Sequence, residues 1–243
     1  MKIIVAKNYE ELSRKAGNLF ASQLILKSNA VIGLATGSSP VGMYKELIRI
    51  YRNGDIDFDE VVSFNLDEYI GLTPDNEQSY HYFMRENLFD HINIRPENIH
   101  IPSGIAVDMT IAAQSYDKMI EEAGGIDIQI LGIGNNGHIG FNEPDVKFEA
   151  RTHIVELEPD TIEANSRFFD SIDQVPTQAI SMGIKNIMQS RKIVLIASGE
   201  GKAKVVQAMI EGPITPELPA SVLQLHPDVT IILDQAAASL LRS

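Results

Sequence analysis

A chain of 243 residues with 44% hydrophobic and 22% charged side chains carries enough apolar material for one full core and has the composition of an ordinary globular protein. Its formal net charge of −13 argues against nucleic acid or an anionic membrane as principal partner, and an anionic small ligand would require a local cluster of basic groups. With no cysteine in the chain, disulfides, thiolate-ligated zinc and cysteine nucleophiles are excluded together.

Residues 2–6 read as a strand whose apolar run is too short for a signal peptide. No segment is long enough to span a bilayer, so a cytoplasmic location is the expectation. Asn8 and Glu11 form a candidate capping box ahead of a helical face made by Leu12, Ala16, Leu19, Phe20 and Leu24. Residues 30–35 form a second, buried strand that ends in Thr36, Gly37, Ser38 and Ser39. Pro40 suits the first turn of the next helix, where Met43, Tyr44, Leu47, Ile48 and Tyr51 recur at helical spacing. A third strand over 61–64 runs into Asn65, Leu66, Asp67, Glu68 and Tyr69, and helices are expected over 80–89 and from Asp108 to the Gly124-Gly125 stop.

Residues 126–131 form an apolar strand that opens into a loop with glycines at 132, 134, 137 and 140, one histidine, His138, and one carboxylate, Glu143. Residues 152–157 alternate as a strand does, and Asp160 with Glu163 is a further capping-box candidate for a short helix. Pro159 and Pro176 bracket this unit. Strands over 178–182, 192–197 and 229–233 follow, with a helix carrying Val205, Val206, Met209 and Ile210 on one face. The alternation predicts a single-domain, Rossmann-like α/β fold: a mostly parallel sheet with helices on both faces and a small helical lid at about 158–176. Right-handed crossovers then place the strand ends at 35, 65, 131 and 197 along one edge.

The polar clusters fall on that edge, where open α/β sheets bind ligands. Glycine at such density lets a ligand approach the main chain of the 132–140 loop, although a Gly-rich turn with a structural histidine is the plainer alternative. The segment 36–39 joins a strand to a helix, so its backbone N–H groups and hydroxyls can hold an anion. It lacks the Gly-Lys-Ser/Thr ending of a nucleoside-triphosphate loop, and a Ser-rich cap is its plain reading. Lys202 offers a cation after Ser198-Gly-Glu-Gly, and Arg167, set beside Phe168 and Phe169, needs a phosphate or a carboxylate as partner. Asp67 or Glu68, at a strand end, can serve as a general base if desolvated, and alternation alone does not say which. The other histidines show no metal-ligand spacing, and no Gly-x-Ser-x-Gly elbow is present.

Leu34-Ala-Thr-Gly-Ser-Ser-Pro40, Phe64-Asn-Leu-Asp-Glu-Tyr69, Gly132-Ile-Gly-Asn-Asn-Gly-His-Ile-Gly-Phe-Asn-Glu-Pro144, Ala164-Asn-Ser-Arg-Phe-Phe169 and Gly201-Lys-Ala203, in this order, resemble the isomerising glucosamine-6-phosphate deaminases over nearly the whole chain. The resemblance implies conversion of glucosamine 6-phosphate and water to fructose 6-phosphate and ammonia, a hydrolase-type cleavage of a C–N bond in amino-sugar catabolism, without metal or organic cofactor. It makes Asp67 the base that takes the C2 proton. By the same resemblance His138, with Glu143 beside it, is expected to move the proton of ring opening, Thr36, Gly37, Ser38, Ser39, Gly137, Arg167 and Lys202 to bind substrate and its phosphate, and the helix around Arg167 to be the lid. Many members carry an aspartate where this chain has Asn136, and a subgroup has asparagine, which can hold His138 by a hydrogen bond without adding charge.

The alternatives are a 6-phosphogluconolactonase-like hydrolase, which has no use for Asp67, and a non-catalytic sugar-phosphate-sensing domain, which needs neither a base nor a ring-opening histidine. The hexameric deaminases bind an activator through cations just after the Asn-Glu-Pro turn. Here His153 and Val155 stand in those places, Asp145 and Glu149 add negative charge, and the chain stops at Ser243. The expectation is a monomer or small homo-oligomer of the non-allosteric type, with a sugar phosphate as its partner and no nucleic acid or membrane.

Overall fold

The computed structural model describes all residues except Arg167, Phe168, Asp170 and Ser243, and describes Asp160 and Ala164 by their backbone alone. Seven strands among the described residues form one sheet in the order β1 (Lys2–Ala6), β10 (Val229–Asp234), β9 (Lys192–Ala197), β6 (Ile128–Leu131), β2 (Val31–Leu34), β3 (Val62–Asn65), β5 (Ile99–His100). Every pairing within it is parallel. β2 and β6 are buried along their whole length and β9 at every residue after Lys192, which is why they read as apolar runs rather than alternating ones.

Helix α1 (Tyr9–Leu26) follows β1, and α2 (Val41–Arg52) follows β2. From β1 to β5 each connection moves toward the β5 edge of the sheet. After α4 (Met109–Glu122) the chain returns to β6 and then moves the other way, through α7 (Ala203–Glu211) to β10. Right-handed crossovers that travel in opposite directions put their helices on opposite faces. Accordingly α1 and α2 pack together on one side. The direction of winding reverses between neighbouring strands β2 and β6, so their C-terminal loops diverge and leave a crevice.

The predicted caps hold in part. Glu11 donates its N–H to the Asn8 side chain at 2.9 Å, while the Glu11 carboxylate accepts from Lys7 rather than closing back on Asn8. Asp108 caps α4 through the Ile111 N–H. The Asp160 and Glu163 box does not form: α5 (Pro159–Asn165) starts at Pro159, with Glu158 in the N-cap position and no side-chain capping bond there. A proline pre-set in φ begins the helix before Asp160 is reached.

The strands expected near 152–157 and 178–182 exist but do not extend the parallel sheet. β7 (His153–Glu156) and β8 (Gln178–Ser181) pair antiparallel with each other, and β8 pairs antiparallel with a short strand, β4 (Asp67–Tyr69). The chain leaves the main sheet at Leu66, whose N–H still donates to the Leu34 carbonyl while its own carbonyl accepts from Met182. This small sheet has its own core of Tyr69, Phe141, Leu157 and Ala179, against which Ile162 and Phe169 pack. No helix among the described residues is long and apolar enough to cross a membrane.

Candidate active site

At the crevice lies a cleft of about 850 Å³ lined by the turn after β2, the start of β4, the loop after β6, α5 and the turn before α7. It gathers Thr36, Gly37, Ser38, Ser39, Asp67, Asn136, His138 and Lys202, sequence candidates drawn from four separate parts of the chain. Arg167 lies outside the described residues.

Asp67 and Glu68, open alternatives in the sequence, point to different environments. Glu68 is fully buried, and its carboxylate is saturated. One oxygen accepts from the N–H groups of Tyr69 and Tyr80, and the other accepts from the His81 N–H and contacts His81 Nδ1 at 2.8 Å. Tyr80 and His81 open helix α3 (Tyr80–Asn87), so Glu68 serves as an anion at a helix N-terminus. Asp67 lines the cleft, is only 6% exposed and makes no side-chain hydrogen bond among the described residues. Burial, and secondarily the neighbouring Glu68 charge, push its carboxyl up to about 8.

His138 is held by what the loop lacks. Its ring lies flat against Gly134, where a Cβ would stand 2.3–2.5 Å from Cε1, Nδ1 and Nε2, and Gly134 donates its N–H to the His138 carbonyl at 2.9 Å. Nδ1 faces Glu143 Oε2 at 3.2 Å. The same oxygen accepts from Asn136 Nδ2 at 2.7 Å, and Oε1 accepts from the Thr161 hydroxyl at 2.6 Å. Burial works to raise the Glu143 pKa, but the hydrogen bonds and charge of His138, with the bonds from Thr161 and Asn136, outweigh it and hold the carboxyl below the usual range. Asn136 therefore acts on Glu143 rather than on the imidazole, and its Oδ1 accepts only the backbone N–H of His138.

The loop is pinned from outside. Phe141 donates its N–H to Ser181 Oγ on β8, and Asn142 Nδ2 donates to the carbonyls of Ile139 and Met182. The small antiparallel sheet thus presents Asp67 and braces the His138 loop at once. Gly137 does not line the cleft. Its N–H is committed to the Gly134 carbonyl, its φ is +90°, and a Cβ there would meet Leu218 at 2.2 Å, so it serves the bend of the loop and not a ligand.

Lys202 reaches the cleft from the short helical turn Glu200–Lys202, and its Nζ donates to the Ile133 carbonyl at 2.8 Å and to Asn135 Oδ1 at 2.7 Å. Across from it, the 36–39 turn has Gly37 at φ +88° and enters the N-terminus of α2. Tyr9 on α1 fixes that turn by donating its hydroxyl to the carbonyls of Ser38 and Ser39. An ammonium group opposite a helix N-terminus makes one end of an otherwise acidic molecule attractive to an anion.

The structure adds lining residues that sequence reasoning missed. Tyr80, whose ring packs on Tyr69 with centroids 4.8 Å apart, and Thr161, which donates to Glu143, are the two that touch candidate chemistry. Tyr80 was legible only as a helical residue, and no local spacing links Thr161 to Glu143, eighteen positions earlier in the chain.

Residues 7–232 match the family of glucosamine-6-phosphate isomerases and 6-phosphogluconolactonases. The chain belongs to this family. It is 60% identical over 232 residues to the glucosamine-6-phosphate deaminase of Lachnoclostridium phytofermentans, covering 96% of this chain and 98% of that one. It superposes on a solved monomeric glucosamine-6-phosphate deaminase with a TM-score of 0.97 at 45% identity, covering 99% of this chain and all of that one. The 6-phosphogluconolactonase of Trypanosoma brucei matches at a TM-score of 0.78 and 20% identity, covering 99% and 98% of the two chains, and shares the fold.

Proposed function

We propose that the chain converts glucosamine 6-phosphate and water into fructose 6-phosphate and ammonia. The observation that carries this reading is Asp67, a buried carboxylate without a hydrogen-bond partner among the described residues, in one cleft with His138, whose Nδ1 is backed by Glu143 from outside the cleft lining. Lactone hydrolysis needs a base only to activate water, a role His138 can fill, whereas moving a proton from C2 to C1 of a sugar requires a further base at carbon. The deaminases at 60% and 45% identity support the same choice.

The phosphate occupies the end of the cleft formed by residues 36–39 and Lys202, with Arg167 a further candidate. Holding the non-reacting end fixes C1 and C2 near the carboxylate and imidazole. His138 takes the proton of the anomeric hydroxyl and delivers it to the ring oxygen, and the ionised Glu143 balances the imidazolium formed in between. Asp67 then removes the C2 proton from the open-chain aldehyde. Its high proton affinity makes it a strong base, and the substrate's own ammonium group favours the ionised form when bound. Returning the proton to C1 leaves an imine at C2, which water hydrolyses to the ketone with release of ammonia. The net reaction breaks a C–N bond with water, but its proton chemistry is that of an aldose–ketose isomerase.

Residues 158–176 act as a lid on a single domain, a reading supported by the seating of α5 on the cleft. Likeness to a solved monomeric deaminase supports a monomer or small homo-oligomer, and use of a phosphorylated sugar supports a cytoplasmic setting. Behind Glu143 a second hollow of about 350 Å³ is lined by Asp145, Glu149, His153, Val155, Glu156 and Glu158, and its Lys147 is paired with Glu149. That potential opposes a second phosphate and supports hyperbolic kinetics without activation by N-acetylglucosamine 6-phosphate. The deciding experiment incubates the protein with glucosamine 6-phosphate and assays ammonia and fructose 6-phosphate. Absence of both, with rapid hydrolysis of 6-phosphogluconolactone, would overturn the reading.

A further inference from the structure

Glu143 divides its two oxygens between different parts of the molecule. Oε2 receives Asn136 Nδ2 and faces His138 Nδ1, both on the loop after β6, whereas Oε1 receives, among the described residues, a single donor, the Thr161 hydroxyl of α5, at 2.6 Å. Thr161 is 5% exposed, and the next residue, Ile162, packs into the small core with Tyr69 and Phe141. The same helix contributes Glu163 and Asn165 to the cleft lining. A buried carboxylate with one oxygen left unbonded binds a proton more readily than one bonded on both sides.

We propose that Thr161 is a positioning residue that couples the seating of α5 to the acid–base pair. With α5 in place its hydroxyl completes the hydrogen bonding of Glu143 and keeps the carboxylate ionised opposite His138. With α5 withdrawn, Oε1 loses its donor, Glu143 gains proton affinity, and the imidazole loses the charge that balances it during ring opening. Ring-opening power is thereby tied to a closed cleft. The inference rests on the deaminase reading and deepens it.

Among the described residues the groups that face Glu143 come from three sides. His138 and Asn136 approach from the loop and Thr161 from α5. On the far wall, across the second hollow, lie Asp145, Lys147, Glu149, His153, Glu156 and Glu158. A change at Thr161 alone leaves all of these charges as they are, so a shift in pH dependence reads the hydroxyl.

The test is the pH profile of kcat/KM for glucosamine 6-phosphate in the unchanged protein, Thr161→Val and Thr161→Ser. Valine keeps the shape and removes the donor, whereas serine keeps the donor. The ionised form of Glu143 is the active one, so its raised pKa in Thr161→Val moves the acid limb upward. The expected shift is about one pH unit, a roughly tenfold change in the acid constant, as befits a lost hydrogen bond to a charged group. Thr161→Ser restores the parent profile, and inhibition by inorganic phosphate stays within about twofold in both variants, because the phosphate end is untouched. An acid limb that stays in place in Thr161→Val while activity falls at all pH values would reduce Thr161 to a packing residue and overturn the proposal, as would a serine variant that behaves like valine. If the unchanged protein releases neither ammonia nor fructose 6-phosphate, the deaminase reading fails first and takes the inference with it.

Discussion

The prediction that probes the site most directly is Gly134→Ala, because it should disable catalysis while sparing the fold. A Cβ built on Gly134 would stand 2.3, 2.4 and 2.5 Å from Cε1, Nδ1 and Nε2 of His138. Carbon contacts settle near roughly 3.5–4.0 Å, so the imidazole must move by more than about 1 Å. It has room to do so, since it is the end of a side chain bordering an open cleft, and Gly134 is not among the positive-φ glycines, so alanine's backbone is accommodated. The Nδ1 to Glu143 separation of 3.2 Å has no slack, and the displaced ring loses that partner. A misplacement of about 1 Å at a proton-transfer group costs on the order of a hundredfold in rate. Ammonia release at saturating glucosamine 6-phosphate measures this, with thermal unfolding followed in parallel and expected to change by no more than about 1 kcal/mol. A variant that unfolds like the parent and turns over within about threefold of it would refute the assignment of His138 to proton transfer.

Asp67→Asn should retain substrate binding and lose roughly two to four orders of magnitude in turnover, and solvent-deuterium exchange at C2 should fall with it. The same change should stabilise the fold at high pH. The Asp67 pKa rises from 3.8 to about 8 on folding, so the folded state holds a proton the unfolded chain has lost, and the stabilising effect of that proton fades as pH climbs from about 4 to 8. The unfolding free-energy advantage of the Asp67→Asn variant over the parent should therefore grow across that window, by an amount on the order of a few kcal/mol, and a flat difference would contradict the burial argument. Asn136→Asp should stay active but shift the acid limb of kcat/KM upward, because it replaces a donor 2.7 Å from Glu143 by a second carboxylate, so that one of the two must hold a proton. Lys202→Ala should raise KM for the phosphorylated sugar far more than the dissociation constant for free glucosamine, and equal effects on both would mark the lysine as structural.

Much of the site was legible because its parts are local. The loop glycines, His138 and Glu143 sit within a dozen residues, and the strand–turn–helix pattern at residues 36–39 makes an anion site readable beside the plainer Ser-rich cap. The parallel sheet followed from apolar runs spaced by helical segments, and its edge followed from the handedness of crossovers. Helix boundaries set by neighbouring residues, such as the Asp108 cap, were equally readable.

What the sequence could not determine depends on contacts between distant segments. Asp67 and Glu68 are adjacent and chemically alike. Only the pairing of β4 with β8 and the docking of α3 turn one into a saturated helix cap and leave the other bare in the cleft. The antiparallel sheet itself was hidden because three residues of β4 are too few to show a period. Spacing lets Asn136 hold His138 by a hydrogen bond, as its Oδ1 does at the backbone N–H, but only the folded loop shows its Nδ2 donating to Glu143. Gly137 reads like its neighbours and serves the bend instead of a ligand, a difference fixed by Leu218 from near the end of the chain. Residue type and local spacing set which chemistry was available; the environment of each group, and hence its proton affinity, was set by segments that meet only when the chain has folded.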